Sequence, residues 1–457
     1  MLDVDFVLKA TRGKLLEGQK GSLFAGVSVD SRRIKNGELF FAIKGARCDG
    51  HDFVNDAIVH SATGAVVERE LRCDHPLKAL IMVQSTVRAL GDLALAKRNI
   101  APDLTLAAIT GSNGKTTTKE MAVAIVSIKY DVHKNEGNLN NEIGLPLTLL
   151  KLEPHHRSAV VELGMNNFGE IRRLSEIANP DVGAITNIGR GHLEKLGDLK
   201  GVARAKAELV EGFTSRNTFV ANTDDPWVEK ISRKLRCPII TTGVRRDGVD
   251  IRGLNIEQGD FTSIKFTMDV MGKEFPVRLK GIGLHNVSNA LTAAGVAVAL
   301  GCDAREIQAG LERFEPAQMR LEVIESPQGF KIINDTYNAN PESMRSGVNE
   351  LVRLKNSGRA IAVLGDMLEL GASSEQEHLS LGDFVSGAGV DFVVTIGEFA
   401  NKILEGTRSR VDGIPAQDHD EAASIVRSYA KPGDCVLIKG SRGMNMERII
   451  KSLFEER

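Results

Sequence analysis

Apolar residues in this chain fall into short runs bounded by glycine, asparagine or aspartate, and stretches with helical spacing lie between them. Up to about residue 100 the runs Leu39–Ile43 and Gly64–Val67 predict strands, and Thr86–Lys97 predicts a helix. Asn99–Asp103 has a linker's composition. A second section alternates strands at Ser158–Leu163, Val182–Asn187 and Thr218–Ala221 with helical segments. That alternation predicts a parallel sheet covered by helices on both faces. A strand-rich insert at Asp250–Lys280 and a helix over His285–Leu300 follow. A third section begins near Glu315–Gln318 and repeats the pattern, with strands expected at Lys331–Asn334, Ala360–Gly365, Phe392–Gly397 and Cys435–Gly440. In such sheets ligands lie at the carboxyl ends of the strands.

The 457 residues exceed what one hydrophobic core organises, so two to four domains are expected. The 58 basic and 60 acidic residues nearly cancel, so nothing points to a nucleic-acid or membrane-surface partner, and an anionic ligand must be held by local geometry. One Trp and three Tyr disfavour a base-stacking platform. The five cysteines are scattered without a C-x-x-C pair, which predicts reduced thiols rather than structural zinc. The start lacks a cationic segment followed by an apolar one, and no stretch reaches the ~18 uninterrupted apolar residues of a membrane span. A cytoplasmic protein without membrane insertion is expected.

The chemistry concentrates in TLAAITGSNGKTTTK, Thr105–Lys119: a strand, a turn bracketed by Gly111 and Gly114, then Lys115 and Thr116 opening a helix. Backbone N–H groups of such a turn face phosphates, the lysine adds charge near the β/γ oxygens, and the Thr116 hydroxyl is placed for Mg²⁺. The spacing is shorter than G-x-x-x-x-G-K-[ST], because Ile109 stands where the first glycine would be. Glu162 ends one strand and His192 follows another, so both can reach a metal–triphosphate. His192 also reads as a cap or surface residue. Lys206 on a helix reads as a solvated or paired cation, or as an anionic metal ligand if carbamylated by CO₂. The turn GNLNNEIGLP, Gly137–Pro146, fits either substrate-fixing amides or plain turn chemistry. Asn286 fits a helix cap, but Asn289 one turn later does not. Arg320 reads as an isolated cation. The cluster NDTYNANP, Asn334–Pro341, carries more polar groups than a simple turn needs.

Together these segments resemble the Mur ligases, ATP-dependent enzymes that build the peptide of bacterial cell-wall precursors. The resemblance covers essentially the whole chain through GSNGKTTTKE, GNLNNEIGLP, ELGMNNFGEI, NDTYNANPESM, GDMLELG, KGSR at Lys439–Arg442, and VDSRRIKNGELFFAIKGARCDGHDF near the start. It implies an α/β fold of three domains: a smaller mixed N-terminal domain (1–101) for the UDP-sugar, a central P-loop domain (102–317) for ATP, and a C-terminal Rossmann-like domain (318–457) for an incoming dipeptide.

The resemblance also distributes roles. Gly111, Ser112, Asn113, Gly114, Lys115, Thr116 and Thr117 would hold the ATP phosphates, with Asn289 on adenine, Asp335 on ribose and Arg320 on the γ-phosphate. Thr116 and Glu162 would bind one Mg²⁺, His192 and carbamylated Lys206 a second. Ser28, Asp30, Ser31 and Arg32, with Lys44, Gly45, Asp49 and His51, would surround the uridine diphosphate sugar. Asn138 and Asn141 would face the tripeptide. Tyr337, Asn338, Asn340, Lys439, Ser441 and Arg442 would line the dipeptide pocket. Many relatives carry glycine directly before the arginine, where this chain has Met319.

The activity implied is that of the member joining D-alanyl-D-alanine to UDP-N-acetylmuramoyl-tripeptide through an acyl phosphate, acting as a monomer. Rival readings are the third-residue-adding ligase, whose D-N-P-R string is absent, and a folylpolyglutamate synthase, which would lack the DSR…GHDF region. An idle nucleotide-binding regulator would be expected to lose Lys115, Glu162 or His192.

Overall fold

A computed structural model describes residues 2–258 and 260–455 and contains three sheets. In each, neighbouring residues along a strand point to opposite faces, so the inner strands feed two cores. On the strand Thr105–Thr110, Leu106 and Ala108 enter one core, while Ala107 and Ile109 enter the other. On Glu38–Phe41, Leu39 and Phe41 face one core and Phe40 the opposite one. Ile332 and Ile333 divide likewise in the third sheet.

The N-terminal sheet has Glu38–Phe41 between Gly26–Ser28 and Gly64–Val67, all parallel, with Ala79–Met82 beyond and Lys14–Gly18 antiparallel at the edge. The helix Thr86–Asn99 packs against the central unit, where Arg173 pairs with Asp92 at 2.5 Å. The expected linker at Asn99–Asp103 is pinned rather than free. Arg98 is buried and donates to Asp181 at 2.8 Å, and the same carboxylate accepts from Leu106 N.

The central sheet has nine strands. Val132–Lys134, Ser158–Glu162, Thr105–Thr110, Val182–Ile185, Thr218–Asn222 and Ile239–Gly243 run parallel in that spatial order, and Ile251–Glu257 continues them. The expected insert is therefore no separate module: Ser263–Val270 and Lys273–Lys280 extend this sheet as antiparallel strands. An alternating pattern reads the same in an added edge hairpin as in an inserted one, so only the pairing of Thr242 with Ile251 decides.

The C-terminal sheet runs Glu322–Glu325, Lys331–Asp335, Cys435–Lys439, Ala360–Gly365, Phe392–Ile396 and Asp412–Ala416, and only the first strand is antiparallel. Because Cys435–Lys439 inserts between Lys331–Asp335 and Ala360–Gly365, the ends of these three strands form one polar edge. That edge faces the phosphate loop.

The chain enters this domain through an unusual segment. Met319 and Leu321 have left-handed backbones, φ 59° and 53°, on either side of Arg320. Side chains resist that region by roughly 1–2 kcal/mol, which gives a physical reason for glycine to be favoured at Met319. The two turns throw the Arg320 side chain back toward the central domain, where it donates to Thr116.

Candidate active site

The strand Thr105–Thr110 ends in Gly111, with φ 146°, and Gly114, with φ 80°, opens the helix Lys115–Val126. Both glycines are sterically required. A Cβ on Gly111 would lie 2.0 Å from Thr186 Oγ1, and one on Gly114 would lie 2.2 Å from Asn289 Oδ1. The turn is braced from the next strand, since Asn187 accepts from Asn113 N at 2.9 Å and donates back to Asn113 O at 3.0 Å. Thr186 adds a 2.6 Å bond to the same carbonyl. Sequence reasoning missed Thr186 and Asn187, which lie at a strand end but in no motif.

Lys115 folds over this turn, donating to Gly111 O at 2.9 Å and Ser112 O at 3.2 Å. Burial holds its ammonium below the usual lysine range and Arg320 adds to the shift, while Glu162 opposes it. Thr116 donates to Glu162 Oε2 at 2.7 Å and accepts from Arg320 Nη2 at 3.0 Å. The other carboxylate oxygen of Glu162 accepts from Asn140 Nδ2 at 2.8 Å, and buried Asn135 clamps the Glu162 backbone through both its N–H and its carbonyl. A hydroxyl and an oriented carboxylate beside a glycine cradle fit a hard cation such as Mg²⁺ with its phosphate.

These groups line a cleft of about 610 Å³ that spans the central and C-terminal units. Ser112, Asn113, Gly114 and Thr117 form its floor, with Gly111 buried beneath. His192 and Asn289 come from the central wall, Arg320, Asp335, Tyr337 and Asn340 from the opposite one. The Arg320 guanidinium lies 3.9 Å from the Tyr337 ring centroid, a stacking that fixes its aim. Asn113 and Asn340 exchange amide bonds across the cleft at 2.8 and 3.4 Å, and Arg190 pairs with Glu342 at 3.2 Å.

Lys206 is buried on the helix Leu199–Ala207, behind the lining. Burial drives its ammonium well below the usual lysine range, and Lys115 pushes the same way against Glu162, Glu170 and Glu208. Among the described residues no hydrogen bond reaches its amine. His192 has a left-handed backbone, φ 57°, and its Nδ1 lies 2.6 Å from Glu369 Oε2.

The expected dipeptide residues divide. Lys439 is buried and donates to Asp335 at 2.6 Å and Asn338 O at 2.9 Å. Both it and Asn338 line the cleft. Ser441 is buried and accepts from Leu368 N at 2.8 Å. Arg442 is exposed, pairs with Glu447 at 3.0 Å and lies outside the lining.

Of the two asparagines assigned to the tripeptide, Asn141 lines the cleft while its Oδ1 accepts from Ile143 N and Gly144 N where the helix Gly144–Leu150 begins, and Asn138 is exposed. Asn140 between them, which sequence reasoning passed over, is the one that holds Glu162.

The expected uridine-nucleotide residues cluster at the carboxyl ends of Gly26–Ser28 and Glu38–Phe41. Asp30 makes a two-point pair with Arg32, and the Ser28 hydroxyl donates to Asp30 O. Ser31 lies in the same turn, and the backbones of Lys44 and Asp49 pair antiparallel across the turn at Gly45. His51 is buried with both ring nitrogens committed: Nδ1 meets Asp49 at 2.6 Å and Nε2 accepts from Glu68 N at 2.8 Å. That histidine braces the loop, leaving Asp49 with its carboxyl lowered to about 2 by the His51 contacts. The trio Asp131, His155 and His156 sits before two strands of the central sheet, at the opposite edge from the cleft.

A P-loop cleft closed by a second α/β sheet fits a nucleotide-dependent enzyme, and comparison resolves the class. Models of the Mur ligase family catalytic domain, the Mur ligase middle domain and the Mur ligase glutamate ligase domain match residues 23–98, 109–297 and 319–442. The chain belongs to the Mur ligase family. It is 35% identical to the UDP-N-acetylmuramoyl-tripeptide–D-alanyl-D-alanine ligase of Bacillus subtilis (strain 168), with 98% of this chain and 99% of that one covered. The structure of MurF from Acinetobacter baumannii superposes with a TM-score of 0.92 at 34% identity, covering 100% and 99%. MurF from Thermotoga maritima, solved in complex with ADP, gives 0.84 at 29%, covering 95% and 98%.

The cradle yields a direct prediction. Gly114→Ala must place a methyl on Asn289 and hold alanine at positive φ, costing about 1–2 kcal/mol for the backbone alone. ATP binding measured by calorimetry is expected to fall at least ~10-fold, while circular dichroism retains the fold. Unchanged affinity would contradict a phosphate cradle at this turn.

Proposed function

We propose that this protein is an ATP-dependent ligase that joins D-alanyl-D-alanine to UDP-N-acetylmuramoyl-tripeptide, forming the pentapeptide precursor of peptidoglycan in the cytoplasm as a monomer. The observation that carries the reading is the 3.0 Å bond from Arg320 to Thr116, 204 residues apart, inside one cleft. It brings the phosphate loop and the C-terminal sheet to a single reaction centre. Residues 1–101 are assigned to the UDP-sugar, 102–317 to ATP and 318–457 to the dipeptide.

The chemistry follows from charge. A carboxylate is a poor acyl donor, so the terminal carboxylate of the tripeptide attacks the γ-phosphorus of ATP and the bond to ADP breaks. The acyl phosphate then loses phosphate when the dipeptide amine attacks its carbonyl carbon and gives up a proton. Lys115 and Arg320 offset charge on the transferred group, and Asn289 and Asp335 position the nucleoside. Thr116 with Glu162, and His192 with carbamylated Lys206, would hold two Mg²⁺, which supply Lewis-acid charge compensation when bound. A lysine whose burial favours the neutral amine is the form that adds CO₂, and the carbamate turns a cation into an oxygen donor. Water would hydrolyse the acyl phosphate, so the contacts of Asn340 with Asn113 and of Glu342 with Arg190 fit a domain that closes before chemistry.

The dipeptide amine would enter beside Tyr337, Asn338 and Asn340. Lys439 is tied to Asp335 and Arg442 to Glu447, so either cation must exchange its carboxylate partner to pair with the carboxylate of the dipeptide.

Two measurements test this reading. With D-alanyl-D-alanine, D-alanine and L-lysine supplied at equal concentration, only the dipeptide is expected to be coupled efficiently, because a single residue forfeits half the orienting contacts. Preference for a single amino acid would move the chain to another Mur ligase. For the carbamate, Lys206→Ala is expected to lose at least ~100-fold in ligation and to recover part of it with short-chain carboxylic acids. Full activity of Lys206→Arg would leave Lys206 a structural cation.

A further inference from the structure

One turn beyond Thr116 on the helix Lys115–Val126, Lys119 lies outside the cleft lining and is only 1% exposed. A buried ammonium is tolerated only where its charge and its protons find partners. Lys119 Nζ donates to the backbone carbonyl of Asn135 at 2.8 Å and pairs with Glu120 Oε1 at 2.9 Å, while Glu120 Oε2 accepts from Lys134 Nζ at 2.5 Å. Two consecutive residues of the helix thus grip two consecutive residues at the end of a strand.

That grip falls where a ladder stops. Val132–Lys134 pairs with Ser158–Glu162 only as far as Lys134 opposite Val160. Beyond it the side chain of the fully buried Asn135 stands in for the missing strand. Its Oδ1 accepts from Glu162 N at 3.0 Å, and its Nδ2 donates to Glu162 O at 3.1 Å and to Leu139 O at 3.0 Å. Ile109 flanks Glu162 on the other side, and Thr116 donates to the Glu162 carboxylate at 2.7 Å. Residues three apart on a helix share a face, so Thr116 and Lys119 both reach toward this strand. One helix therefore holds Glu162 twice: by its side chain through Thr116, and by its backbone through Lys119 and Asn135.

We infer that Lys119 is a positioning residue: through the Asn135 carbonyl it fixes the backbone of Glu162 and keeps that carboxylate registered on the Thr116 hydroxyl, as paired ligands of one divalent cation. The inference rests on the reading of Thr116 and Glu162 as the site of the first Mg²⁺. Groups behind a ligand set its orientation, and losing one costs about 10–100-fold in metal affinity. A plain packing role would lower the melting temperature and leave that affinity alone.

The test measures Mn²⁺ affinity by electron paramagnetic resonance in the full chain with a non-hydrolysable ATP analogue, alongside melting temperatures. Lys119→Met keeps a buried stem but deprives the Asn135 carbonyl of its donor, and is expected to weaken one ion by about 10-fold or more. Glu162→Ala should lose the same ion, and adding Lys119→Met to it should cost nothing further. Lys134→Met breaks the neighbouring ion pair yet leaves the bond from Lys119 to Asn135 in place, and its affinity is expected to stay within about threefold of wild type. Asn135→Ser, which removes both side-chain bonds to Glu162, is expected to weaken the same ion and reads the same contact if Lys119→Met fails to fold. Unchanged affinity in Lys119→Met or in Asn135→Ser, or an equal loss in Lys134→Met, would overturn the inference alone. Unchanged affinity in Glu162→Ala would overturn the reading of the cation site and the inference with it.

Discussion

The hydroxyl of Thr116 is the point on which the two large domains agree. It donates to Glu162 and accepts from Arg320, so a single side chain orients both the carboxylate of one sheet and the cation of another. The hydroxyl has one proton, and both bonds can form only with this directionality. Everything around it is arranged to hold those partners still. Asn140 and Asn135 fix Glu162, Tyr337 stacks under Arg320, and the left-handed turns at Met319 and Leu321 aim the arginine inward.

Local geometry also accounts for how a nearly neutral chain can hold polyphosphate. The cleft gathers Lys115, Arg320 and Lys439 against Glu162, Glu170, Asp335 and Glu342, so its field is patterned rather than uniformly positive. A patterned site suits a reaction in which anionic ATP, a carboxylate and a leaving phosphate must each be recognised. Lys439 illustrates the cost of burying a charge. It is acceptable there only because Asp335 and the Asn338 carbonyl accept hydrogen bonds from its ammonium.

Much of this was legible in the sequence where a physical rule links pattern to place. Short apolar runs bounded by glycine or polar residues marked the central strands, which are buried on both faces, and the glycine-bracketed turn before Lys115 marked the cradle. Alternation could not say that Ser263–Val270 and Lys273–Lys280 join the existing sheet, since that depends on pairing. The edge strand Asp412–Ala416 escaped because it is largely exposed and carries Pro415, so it lacks an apolar run. Asn140 was hidden among neighbouring asparagines with identical chemistry, and only the path of the turn selects it. Glu369 stands inside GDMLELG, a segment that the resemblance marked without giving any of its residues a role, and its neighbour His192 is remote in sequence.

The central claim is that one carboxylate is activated by phosphoryl transfer in this cleft. It is tested most directly with UDP-N-acetylmuramoyl-tripeptide carrying ¹⁸O in its terminal carboxylate, turned over with ATP and D-alanyl-D-alanine. Mass analysis of the inorganic phosphate should find one ¹⁸O per molecule formed, because the oxygen that attacks phosphorus leaves with it. Phosphate free of label, with ligation intact, would contradict the acyl-phosphate account.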